Sequence, residues 1–324
     1  MNDLLTAARI IGAAHHVILT GHIMPDGDSL GSVIALGLAL ESQGKQVVFV
    51  SGDPIPPGYA FLPEVSRFKI GHLPPGTYDL LIVLDCSTPE RLADVCREHP
   101  LLKGNSVCLD HHASASLFCR YNYIDPQAAA VGEIVFDLLQ ILGIPLTYAI
   151  AECLYVAILT DTGSFRYENT TAATHRRVAA LLDAGIDPAA ISTRVYEEKP
   201  LRGIRLLQAA LASLKVSPCG RVAWMTLDWG IMQALGATDA DADGLVDYAR
   251  IIQGVEVAIL FRETAPGKTR VGFRSKRYVD VNRLAARFGG GGHPRAAGCL
   301  LDGQPGEIAA RIVSAAMAAA GEQA

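Results

Sequence analysis

The sequence predicts an α/β chain, with an open, mostly parallel sheet in its first half and a smaller α/β domain in its second. Three observations carry this reading. Short runs rich in β-branched residues alternate with helical patterns between residues 16 and 159. Those runs are apolar almost without interruption, as strands buried on both faces require. After Pro218 and Gly220 strands and helices alternate again, beyond a stretch that is helical throughout. A length of 324 residues, half of them hydrophobic and 19% charged, suits two bodies that each bury a core.

The N-terminal residues MNDLLTAARIIGAAHH read as a short amphipathic helix. They lack the basic start and long apolar run of a signal peptide. Strands are expected at 16–21 (HVILTG), 46–51 (QVVFVS), 79–85 (DLLIVLD), 106–110 (SVCLD) and 118–124 (FCRYNYI). Between the first two, residues 29–43 read as a helix with Ser29 near its start and Gly44 as its stop. Two more helices are expected at 129–142 and 147–159. Short connections between alternating strands and helices favour a parallel sheet. Asp187 is placed as an N-cap with Pro188 at the first helical position. Residues 190–215 read as a helical linker between a domain spanning 1–189 and one spanning 216–324. In the latter, strands are expected at 221–228, 255–263 and 269–276, with helices near 239–251, 280–288 and 306–320. Trp224 and Trp229 lie in or beside an apolar strand and are expected in the core.

Net charge is −5, with no basic tail or lysine–arginine block. An extended, sequence-blind grip on long duplex nucleic acid is therefore not expected, while this charge still allows a short anionic ligand in a local basic pocket. No run of 18 apolar residues occurs, so no membrane span is expected. The seven cysteines have no CxxC spacing and read as free thiols of a reducing compartment, with a cytoplasmic location expected.

Chemistry-bearing residues gather at the ends of expected elements. The first strand runs into His22, Asp26 and Asp28, in 21-GHIMPDGDSLGS-32; the third ends in Asp85; the fourth ends in Asp110-His111-His112; the helix at 147–159 leads to Asp161. An open parallel sheet gathers the loops at its carboxyl edge into one crevice. One such aspartate alone reads as a helix cap or a turn. Together they form a carboxylate cluster that would be costly without bound cations, because neighbouring like charges push one another toward protonation. Oxygen-rich sets with one or two imidazoles suit Mn²⁺, Mg²⁺ or Co²⁺ better than thiophilic ions. Two ions about 3.5–4 Å apart form a clamp for phosphoryl transfer.

In order and spacing, His22-x3-Asp26-x-Asp28-x2-Gly31-Ser32, then Asp85, then Asp110-His111-His112, then Asp161 in TDTGSF resembles the DHH phosphoesterase superfamily. Near the C-terminus, 272-GFRSK-276 and 289-GGGGHPRAAG-298 resemble the DHH-associated domain of its RecJ-like branch. The segments 59-YAFLPE-64 and 161-DTGSFRYENTT-171 resemble the bacterial nanoRNases of that branch. The resemblance implies two divalent ions, Mn²⁺ first, with His22 and Asp26 on one and Asp28, His111 and Asp161 on the other. Asp85 would bridge them, His112 would meet the scissile phosphate, and Asp110 would orient the histidines. In the second domain, Arg274, Ser275, Gly290, Gly291, Gly292, His293 and Arg295 would take substrate, the glycines through a nest of backbone amides. Arg262 is a weaker candidate.

The activity implied is hydrolysis of short oligoribonucleotides to nucleoside monophosphates, and of adenosine 3′,5′-bisphosphate (pAp) to AMP and phosphate, by a homodimer. Two alternatives stand beside it: a phosphodiesterase for pApA or cyclic di-AMP, and a catalytically silent nucleotide-binding module.

Overall fold

The computed structural model describes residues 3–292 and 294–321. Its first sheet holds six parallel strands: β1 (His16–Thr20), β2 (Gln46–Ser51), β3 (Lys69–Ile70), β4 (Leu80–Leu84), β5 (Ser106–Asp110) and β6 (Tyr121–Ile124). They lie in the order β3-β2-β1-β4-β5-β6. The order reverses direction between β1 and β4, so the loops leaving these two neighbours diverge and open a crevice at their carboxyl ends.

The uninterrupted apolarity of these strands has its reason in this sheet. Val17, Leu19, Ile82, Leu84, Val107 and Leu109 point to one core, and Ile18, Val50, Leu81, Val83 and Cys108 to the other. The first core also takes the buried faces of helices Leu4–Ala13, Gly27–Ser42, Val131–Leu142 and Tyr148–Asp161. The helix expected from residue 29 begins two residues earlier, because Asp26 and not Ser29 is its N-cap. This places Asp28 inside the first turn, 1% exposed. The strand expected at 118–124 begins only at Tyr121. Among the described residues, six of the seven cysteines are buried free thiols and Cys219 is exposed. No helix among them is long and apolar enough to cross a membrane.

The chain divides into one unit running to Glu198 and a second from Lys199. The segment 190–215 is split by this division. Ile191 belongs to the first core, on a helix capped by Asp187 with Pro188 at its first position. Leu206 and Ala210, on helix Leu201–Ala212, lie in the core of the second unit.

The second unit carries a mixed sheet of β7 (Lys215–Val216), β8 (Val222–Leu227), β9 (Val257–Ala265), β10 (Lys268–Ser275), β11 (Gly291–Gly292) and β12 (Ala296–Asp302), in the order β11-β12-β10-β9-β8-β7. Only β8 and β9 pair in parallel. One face buries Val271, Phe273 and Cys299 beneath helix Pro305–Gly321. Trp224 and Trp229 are partly buried against the two cores of this unit. The expected helix at 239–251 is a short turn at Ala240–Ala242 followed by Leu245–Arg250.

Candidate metal centre

At the end of β1, His22 is 4% exposed and its Nδ1 lies 2.7 Å from the Ile23 carbonyl. An N–H donated there leaves the lone pair on Nε2, the arrangement of a metal-binding imidazole. That Nε2 lies 3.6 Å from Asp26 Oδ2 and 3.4 Å from Asp85 Oδ2. Asp26 uses its other oxygen to cap the helix, accepting from the Ser29 amide at 3.0 Å. Asp28 accepts from Ser32 Oγ at 3.0 Å, from the Val131 amide at 2.7 Å and from the Gly132 amide at 3.0 Å.

Asp85 follows β4 with φ +53°, in the left-handed region that costs a non-glycine residue about 1–3 kcal/mol. Its amide donates to the Leu109 carbonyl at 3.0 Å, which ties the turn to β5. The two Asp85 oxygens face different partners. Oδ2 faces His22, while Oδ1 lies 3.9 Å from His111 Nε2 and 3.6 Å from His112 Nδ1.

At the end of β5, fully buried Asp110 accepts from His112 Nδ1 at 2.6 Å and from the amides of His111 and His112 at 2.7 and 3.2 Å. Asp110 thus orients one ring. The His111 ring is held by a different acceptor, the Ala128 carbonyl, 3.1 Å from its Nδ1. His111 Nε2 then lies 3.4 Å from Asp161 Oδ2 and 4.0 Å from Asp28 Oδ2. Asp161 is the last residue of its helix.

The ion pairs these carboxylates make among the described residues are all with histidine. Burial pushes the His22 imidazole down, but Asp26 and Asp85 outweigh it and hold it up at about 10. The same opposition, with Asp161, Asp28 and Asp85 prevailing, holds His111 at about 9. Burial lifts Asp161 to about 7 against the pull of His111, with Asp85 adding to the rise. Asp28 is pushed well above the usual carboxylate range by burial and then by Asp85 and Asp161. Burial would lift Asp85 too, but His22, His112 and His111 overcome it and hold it low.

Such a set demands positive charge. Three groups of donor atoms each close to within 4.8 Å: His22, Asp26 and Asp85; Asp28, His111 and Asp161; Asp85, His111 and His112. Carboxylate oxygens with imidazole nitrogens, and no thiolate, fit a hard or borderline divalent ion.

In the second unit, Arg274 Nη1 donates to the Phe273 carbonyl, Arg295 Nη1 to the Val279 carbonyl, and Ser275 Oγ to the Pro294 carbonyl. Arg262 is 5% exposed and paired with Asp239 at 3.0 Å. The glycine run differs from the expected nest of amides. Those of Gly289 and Gly290 donate to Ala286 and Ala285, and that of Gly292 to Asn282 Oδ1 at 2.9 Å. Gly291–Gly292 pairs as a strand with β12. A Cβ on Gly290 would lie 2.2 Å from the Gly298 carbonyl, so close approach to β12 is what requires glycine. Gly291, Gly298 and Gly272 are in register across three strands, giving a row without side chains on one sheet face. His293 lies outside the described residues.

Residues 16–158 match the DHH family, N-terminal domain, and residues 227–319 match the DHHA1 domain. A bifunctional oligoribonuclease and PAP phosphatase NrnA from Thermus thermophilus is 33% identical over 89% of this chain and 84% of its own length. The chain belongs to the DHH family. A probable NrnA from Streptococcus mutans is 32% identical to this DHH protein over 92% of the chain and 93% of its own length. Among solved structures, an exopolyphosphatase-related protein from Bacteroides fragilis superposes with a TM-score of 0.87 at 25% identity, covering 98% and 95% of the two chains. RecJ from Thermus thermophilus, solved with Mn²⁺, shares the fold with a TM-score of 0.51 at 14% identity, covering 99% of this chain and 55% of RecJ.

The DHH fold brings His22, Asp26, Asp28, Asp85, Asp110, His111, His112 and Asp161 to one end of the first sheet. What the motifs did not reveal are the groups that aim them: the Ile23 and Ala128 carbonyls and the Val131 and Gly132 amides. Backbone donors and acceptors leave no mark on residue type. Ser32 had a legible signal, since i and i+4 share a helix face and Asp28 lies four residues before it.

Proposed function

We propose that this protein is a metal-dependent phosphoesterase that hydrolyses short oligoribonucleotides to nucleoside monophosphates and pAp to AMP and phosphate. The observation that carries the reading is Asp85, whose two oxygens face two separate sets of ligands. His22 and Asp26 would hold one ion and Asp28, His111 and Asp161 the other, with Asp85 serving both. Mn²⁺, or Mg²⁺ or Co²⁺ in its place, would supply Lewis-acid charge there for activating water and offsetting charge on the phosphoryl oxygens. Asp110 keeps His112 oriented, and His112 meets the scissile phosphate. In the region 216–324, Arg274, Ser275 and Arg295 take a terminal phosphate of the substrate, with His293 beside them in sequence. The side-chain-free row through Gly291 and Gly298 leaves room for it; Gly290 and Gly292 lie too close to β12 to carry a side chain. The region 1–189 carries the metal ligands. The relatives named oligoribonuclease and PAP phosphatase support the choice of substrates.

A time-resolved product analysis with Mn²⁺ tests this on pAp, pApA, cyclic di-AMP, pyrophosphate and RNA of graded length. Rapid turnover of pAp and the shortest RNA is expected. Turnover of cyclic di-AMP or pApA alone would replace these substrates with dinucleotide messengers, and undiminished activity of Asp85→Ala in chelator would remove the two-ion account.

A further inference from the structure

One backbone stretch, Ala128–Gly132, reaches all three members of a single ligand set. The Ala128 carbonyl holds the His111 ring, and the Val131 and Gly132 amides donate to the two oxygens of Asp28. The Ala129 carbonyl accepts from Asn169 Nδ2 at 2.9 Å, and that same nitrogen donates to the backbone carbonyl of Asp161 at 3.1 Å. The other set is aimed by different groups: the Ile23 carbonyl for His22, the Ser29 amide for Asp26, and a bond to the Leu109 carbonyl for Asp85.

Two side chains fix the stretch itself. Asn169 ties it to Asp161. Glu133, 2% exposed, accepts from the Ala129 amide at 3.1 Å and lies 3.4 Å from Arg177 Nη1. Arg177 is anchored in turn by Asp137, at 3.0 and 2.5 Å. Both fixing side chains keep one buried oxygen, Asn169 Oδ1 and Glu133 Oε1, without a hydrogen-bond partner. A buried orphan of this kind costs about 1–3 kcal/mol. A site that only needed filling would take apolar residues. Here the other atom of each terminal group, Glu133 Oε2 and Asn169 Nδ2, holds the backbone that aims the ligands.

We infer that Asn169 and Glu133 are positioning residues for the Asp28–His111–Asp161 set, raising its affinity for an ion while leaving the His22–Asp26–Asp85 set unaffected. The inference rests on the reading of these two sets as metal ligands. Loosening Ala128–Gly132 moves the His111 ring and Asp28 together, and ligand positions tolerate only about 0.2 Å. Removing the groups that orient ligands lowers metal affinity by roughly 10–100-fold.

The test is Mn²⁺ titration of the metal-free protein, with the free ion counted by electron paramagnetic resonance. His22→Ala keeps the Asp28–His111–Asp161 set, and Asp161→Ala keeps the other. Adding Asn169→Ala to His22→Ala should weaken the remaining ion by roughly 10–100-fold. Adding it to Asp161→Ala should change affinity by less than about twofold, because the bonds of Asn169 go to the Ala129 and Asp161 carbonyls and not to His22, Asp26 or Asp85. Glu133→Ala should follow the same pattern, and Glu133→Gln, which keeps an oxygen for the Ala129 amide, should restore affinity. Should Asn169→Ala not fold, Arg177→Met loosens Glu133 from outside the ligand set and takes its place. Equal losses in both backgrounds, or no loss in the first, overturn the inference while the parent still binds two ions. A parent chain that binds none overturns the ligand reading as well.

Discussion

Asp85 is held in a strained backbone conformation by a bond to β5, with one carboxylate oxygen toward His22 and the other toward His111 and His112. Asparagine there keeps the shape and loses the charge that both sets share. Asp85→Asn should therefore lose two-ion binding in the Mn²⁺ titration and turn over pAp at least about a hundredfold more slowly, with the melting temperature of the metal-free chain close to that of the parent. The charges also set a pH dependence. In the metal-free chain His22 stays protonated up to about 10 and His111 up to about 9, so an ion must displace their protons. Mn²⁺ affinity should rise with pH from 6 to 9, and calorimetry in buffers of different ionisation enthalpy should record proton release on binding. Folding of the metal-free chain has the opposite sign. The His22 pKa is raised on folding from 6.5 to about 10. The stability its ion pairs contribute is thus complete below 6.5 and lost as pH climbs through 10. Denaturant melts of the metal-free chain between pH 6 and 10 should show this decline.

At the scale of the element, helix Gly27–Ser42 joins the site to the core. Its first turn carries Asp28, and its middle lies against helix Tyr148–Asp161, which ends in Asp161. A Cβ on Gly31 would lie 2.3 Å from the Cys153 carbonyl of that second helix. Gly31→Ala should push the helices apart, cost about 1–3 kcal/mol in chemical denaturation and weaken Mn²⁺ binding through Asp28. The parallel strands β1, β2, β4 and β5 were legible from sequence because burial on both faces writes itself as unbroken apolarity. β12 was not: Ala296, Ala297 and Gly298 carry no β-branched signature, and the strand exists because β10 and β11 pair with it. The start of helix Gly27–Ser42 was misread by two residues, since Asp26 and Ser29 are equally good caps by type.

At the scale of the molecule, the two units divide the work. On the proposed function, the first would hold the ions and the second would take substrate through Arg274. Removing one charged hydrogen-bonding partner costs about 1.5–3 kcal/mol, so Arg274→Ala should raise KM for pAp roughly 10–100-fold. Its Mn²⁺ titration should match that of the parent. A matching loss of metal affinity would show that the two tasks are not separable.

By itself the sequence determined the α/β class, the parallel first sheet and which carboxylates and imidazoles gather at its carboxyl edge. These are written in residue type: apolar runs for strands buried on both faces, and carboxylates and imidazoles that only a cation reconciles. The tertiary structure decided what residue type cannot carry. The β3-β2-β1-β4-β5-β6 order puts His22 beside Asp85 at a reversal of the sheet. The Ala128–Gly132 backbone, remote in sequence from Asp28, aims that carboxylate. In the glycine run, which as sequence suggested a nest of amides, those of Gly289, Gly290 and Gly292 bond within the protein and Gly291–Gly292 forms an edge strand. Backbone groups are the same in every residue, so where they point is settled only when the chain has folded around them.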